Sequence, residues 1–165
     1  MKIRHGGTRR HLFMIAAVAF GSPAAAQTEA TRPDMDIPDC RFDRPATVIV
    51  SLKDAPDIAA ELARQGLVVA DIGEPFVPYD VVDGSKNLPH RQFVRAYAFA
   101  DRTIAWYYHG GLGAHIHAFE LRKQVDSEPG APKEPILRMT GAQLSGPPCA
   151  ATQALLDGVR GPNDW

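Results

Sequence analysis

This 165-residue chain lacks a membrane-spanning apolar run, a net excess of basic charge, internal repeats and a catalytic signature. Its longest apolar stretch, Leu12 to Phe20, falls well short of the ~20 residues that a bilayer-crossing helix needs. Eighteen basic residues face nineteen acidic ones, so no excess of positive charge attracts nucleic acid or an anionic membrane. No Gly-x-Ser-x-Gly turn is present to raise a serine nucleophile above a sheet. The one glycine-rich stretch, Gly110-Gly111-Leu112-Gly113, has no lysine after it and leads into a predicted strand. Without a helix N-terminus it is a turn, not a phosphate cradle.

Cysteine is nearly absent as well. Cys40 and Cys149 are the only two. An even pair in an oxidising compartment predicts a disulfide joining the N-terminal segment to the C-terminal helix. The alternative is a reactive thiolate at Cys149, in the first turn of that helix.

The N-terminus argues for such a compartment. Lys2, Arg4, Arg9 and Arg10 precede the apolar run, and Ala24-Ala25-Ala26 precedes Gln27. This layout predicts a cleaved signal peptide over residues 1–26. Thr8-Arg9-Arg10-His11-Leu12-Phe13 also resembles the twin-arginine signals of bacteria. Cleavage would remove four basic residues and no acidic one, leaving a net acidic product. The expectation is a soluble periplasmic or secreted protein that does not insert in the membrane after cleavage. About 140 residues remain, enough for one domain.

Residues 27–45 are polar and proline-punctuated, an extended lead-in to a single domain over 46–165. Thr47 to Leu52 is β-branched and apolar and reads as a strand. Asp54 reads as the cap of a short helix that ends at Gly66, and Leu67 to Ile72 as a second strand. Residues 73–89 form a loop. Gln92 to Phe99, Thr103 to His109 and Ala114 to Lys123 then read as three successive strands. A two-residue turn at Asp101-Arg102 would pair Tyr97 with Trp106 and Arg95 with Tyr108. Ile136 to Met139 reads as a short last strand and Ala150 to Val159 as a helix stopped by Gly161-Pro162. The predicted fold is α+β: a mostly antiparallel sheet, a βαβ unit followed by a β-meander, with two helices packed on one face.

Chemistry concentrates in one stretch. His115 and His117 alternate along a strand and share a face, where two imidazoles can meet one metal ion. Whether His109 joins them depends on the preceding turn. A three-residue loop sets His109 opposite His115 and Tyr107 opposite His117. A four-residue loop pairs His109 with Ala114 and sends it to the other face. The second register gives the more uniform apolar face and leaves His115 and His117 as hydrogen-bonded structural residues.

Three functional readings follow. The first is a non-catalytic binding or accessory module, with Arg95, Tyr107 and His90 on a surface for a ligand or an envelope protein partner. Arg95, amid aromatic residues, would need a carboxylate partner or an anionic ligand. The second is a copper or zinc protein using His109, His115 and His117, with Tyr107 or His90 completing the shell. The third is a small hydrolase built on His90 with Asp80 or Asp83, near Ser85. The missing catalytic signature argues against an enzyme.

Overall fold

The structure, a computed structural model, describes residues 36–79, 87–111, 113, 115–125 and 133–161. The predicted signal peptide, Asp80, Asp83 and Ser85 lie outside them. Five strands form one antiparallel sheet in chain order: β1 (Thr47–Ile49), β2 (Arg91–Ala98), β3 (Thr103–His109), β4 (His115–Gln124) and β5 (Ile136–Ser145). Two helices, α1 (Pro56–Arg64) and α2 (Pro148–Leu156), complete an α+β domain.

The predicted βαβ unit is looser than a true crossover. β1 stops at Ile49, and Leu52–Asp54 turn as a 3-10 helix capped by Ser51. The α1 N-cap is Ala55, not Asp54, with Pro56 in the first turn, where its missing N–H costs nothing. Residues 67–72 touch the sheet through a single parallel bridge, Ala70 to Gln92. The reason lies at Asp71. Its carboxylate accepts from Ser51 Oγ at 2.6 Å and Leu52 N–H at 2.8 Å, holding this segment to the 3-10 helix.

Gly66 ends α1 as expected, with φ +71. Its N–H reaches Ala63 O and that of Leu67 reaches Leu62 O, the paired bonds of a Schellman motif. At α2 the same pair of bonds forms at Gly158 and Val159, so the helix ends at Leu156, three residues short of the expected Val159.

The helices cover opposite faces, not one. Ile58 and Leu62 of α1 pack with Phe93, Ala105, Tyr107, Phe119 and Leu121. Burying each of these two contributes roughly 1.5–3 kcal/mol. Ala151, Leu155 and Leu156 of α2 pack on the other face with Tyr97, Ile104, Trp106 and Ala118. Trp106 Nε1–H donates to Thr152 Oγ1 at 2.8 Å, which satisfies the buried indole. Phe42 of the lead-in meets Tyr97 edge-on, and Cys40 bonds Cys149 across a sequence separation of 109.

Registers correct two further expectations. Ala98 pairs with Thr103, so the β2–β3 turn has four residues. That turn sets Tyr97 opposite Ile104 and Arg95 opposite Trp106, and a bulge between Phe93 and Arg95 then shifts Phe93 opposite Tyr107 and Arg91 opposite His109. Tyr97 and Trp106 still touch diagonally, centroids 5.2 Å apart. β5 runs six residues beyond the predicted end at Met139, and this extension builds part of the site below.

Candidate metal centre

The β3–β4 hairpin adopts the register that brings the histidines together. His109 lies opposite His115 and Tyr107 opposite His117. Two cross-strand rows result on the α1 face. Arg91, His109 and His115 form one; Phe93, Tyr107, His117 and Ser145 form the next. Neighbouring strands are about 4.8 Å apart, so rows at the end of a sheet bring ring nitrogens within reach of one ion. One ligand atom from each of His109, His115 and His117 lies within 4.8 Å of the others. His117 is buried, while the other two are half-buried at the rim.

The turn that permits this is held from outside. Gly110 N–H donates to His90 O at 2.8 Å and Gly111 N–H to Pro78 O at 3.3 Å. A Cβ at Gly110 would stand 2.4 Å from Val77 O, so only glycine lets the 77–78 backbone approach so closely.

Hydrogen bonds orient two of the three rings. His115 Nδ1 meets the carbonyl of Gly113. A carbonyl only accepts, so Nδ1 carries the proton and Nε2 keeps its lone pair. His117 Nδ1 lies 2.7 Å from Gln143 Nε2 and 3.2 Å from Ser145 Oγ. Gln143 Oε1 in turn accepts from the Tyr107 hydroxyl at 3.3 Å. With Gln143 Nε2–H donating to Nδ1, the His117 proton sits on Nε2. A half-turn of the amide would let its oxygen accept Nδ1–H and its NH2 donate to Tyr107, and would leave Nε2 as the metal donor.

Electrostatics favour neutral donors. Burial, then the neighbouring charges of His115, His109 and Arg91, push the His117 pKa down to about 4. Burial raises that of Tyr107, so its hydroxyl stays protonated. The Tyr107 ring also stacks on His117, centroids 5.0 Å apart and 23° from parallel.

The other candidates are placed elsewhere. Arg95 projects to the α2 face, where Nη1 donates to Asp39 Oδ1 at 2.7 Å, Pro38 O at 3.1 Å and the Tyr97 hydroxyl at 3.2 Å. The carboxylate it needed is therefore in the lead-in. Tyr107 is only 3% exposed and supports the site from inside rather than offering a contact surface. His90 is exposed and stands outside the histidine cluster. Cys149 is in the disulfide, so the thiolate alternative falls away.

Arg91, Gln143 and Ser145 were not foreseen from the sequence. Gln143 and Ser145 alternate as β-strand neighbours should, but Gly141, with φ +79, interrupts the pattern before them. No known protein family, curated protein or solved structure matches the chain.

Proposed function

We propose that this is an exported, non-catalytic protein of the bacterial envelope that holds one zinc or copper ion through His109, His115 and His117. The convergence of three imidazole ligand atoms within 4.8 Å carries the reading. Metal–nitrogen bonds of about 2.0–2.1 Å place tetrahedral donors roughly 3.3 Å apart, a contraction that small ring rotations supply. Neutral imidazole suits zinc and copper, and the partners of His115 and His117 are of the kind that orient metal-bound histidine. Three protein donors leave a fourth position open at the solvent rim. Export is supported by the signal-like N-terminus and by the Cys40–Cys149 bridge, since disulfides persist in oxidising compartments. Among the described residues no helix is long and apolar enough to cross a membrane.

The test is elemental analysis of the protein, purified without a histidine tag from a bacterial periplasm. About one equivalent of zinc or copper that survives dialysis is expected. A folded protein that arrives metal-free and takes up neither ion on titration overturns the reading.

A further inference from the structure

Arg91 stands in the same cross-strand row as His109 and His115, directly opposite His109. Its guanidinium carbon lies 5.9 Å from the centroid of the Tyr107 ring, which itself stacks on His117. Arg64, Arg95, Arg102, Arg122, Arg138 and Arg160 each reach a carboxylate. Arg91 has no such ion pair among the described residues, and its buried Nε–H has no partner among them. A half-buried cation beside a cluster of neutral imidazoles repels a dication, and that cost is offset only if negative charge enters the site with the metal.

The geometry points to a small oxyanion as the fourth ligand: a carboxylate or similar anion that displaces water from the metal and is held on its far side by Arg91. The inference rests on the metal reading above and specifies the chemistry of its open position. Three neutral donors leave the full 2+ charge on the ion, so an anionic ligand gains from the metal and from the guanidinium together. The planar fork of Arg91 matches the two oxygens of a carboxylate, which a lysine would not. The half-buried rim formed by His109 and His115 gives such a ligand its way in.

The test loads the full exported protein with Co(II), whose visible absorption reports its ligands, and titrates it with acetate and with azide. Both anions should perturb the spectrum in the wild type. In Arg91→Gln the acetate dissociation constant should rise at least tenfold per bound cobalt. Arg91→Lys, which keeps the charge and loses the fork, should weaken acetate more than azide. It carries the test alone if Arg91→Gln fails to fold. Equal anion affinity in wild type and both variants, or no anion response from a cobalt-loaded wild type, overturns the inference and leaves the metal reading standing. A wild type that binds no cobalt, zinc or copper removes both.

Discussion

His109 and His115 face each other as the last cross-strand pair of the β3–β4 hairpin, with ring centroids 5.7 Å apart. His117 enters from the next row, its centroid 4.3 Å from that of His115. Each ring is thus fixed by backbone register and not by a flexible loop, which suits a site that must hold three donors in one geometry.

Removing any one donor should be felt strongly. His117→Ala and His109→Ala are expected to weaken zinc binding by more than about 100-fold, since loss of an orienting partner alone costs 10–100-fold. Competition with a chromophoric chelator measures this. Unchanged affinity in both variants would exclude the cluster as the site.

Gln143 should matter without touching the metal. Gln143→Leu leaves His117 without its 2.7 Å partner and Tyr107 without its acceptor. Zinc affinity is expected to fall about 10–100-fold. Gln143→Glu keeps an acceptor for Nδ1–H and should recover most of the loss.

Acid should destabilise the metal-free protein in two windows. His117 is held neutral, with its pKa pushed down to about 4. The unfolded chain takes up that proton first, so stability falls as pH drops from roughly 6.5 through 4. Glu61 on α1 responds lower. Burial alone would raise its pKa, but hydrogen bonds from Arg64, the Met139 N–H and Gln65 bring it down to about 2. Its contribution, about 3 kcal/mol, is present above pH ~4.5 and is lost as pH falls toward 2. Urea unfolding at pH 7, 5 and 3 should show both losses. His117→Gln should flatten the first and Glu61→Gln the second.

Breaking the disulfide should loosen the lead-in. Cys40 and Cys149 close a loop of 109 residues, and Cys40→Ser with Cys149→Ser is expected to cost about 3–5 kcal/mol. Thermal unfolding with and without reductant reads the difference. Arg95 should then become more accessible, because its partners Pro38 and Asp39 adjoin Cys40.

Gly110→Ala tests the turn. The added methyl meets Val77 O and Pro78, so the 77–78 segment must move, at about 1–3 kcal/mol. Zinc affinity should fall with it, because the same loop sets the His109–His115 pairing. A stable variant with normal affinity would show that the approach of 77–78 to the turn does not matter to the site.

Much of this was legible in the chain. Alternation along Arg91–Ala98, Thr103–His109 and His115–Gln124 located three strands to within a few residues, because side chains of a strand alternate whatever covers them. The even pair of cysteines predicted the bridge, and the His115-Ile116-His117 spacing put two imidazoles on one face. The tertiary structure decided the rest. Apolar patterning favoured the register that separates His109 from its partners, on the assumption that one face should be more apolar. Here α1 and α2 bury both faces, β3 is apolar on both sides, and periodicity no longer tells them apart. The register observed pairs His109 with His115, beside a turn packed at Gly110 against the 77–78 backbone. Local sequence likewise gave no sign of the bulge that shifted Phe93 opposite Tyr107 and Arg91 opposite His109, or of the long β5 that placed Gln143 behind His117. Pairing between strands distant in sequence made those choices, and those pairings exist only once the sheet has formed.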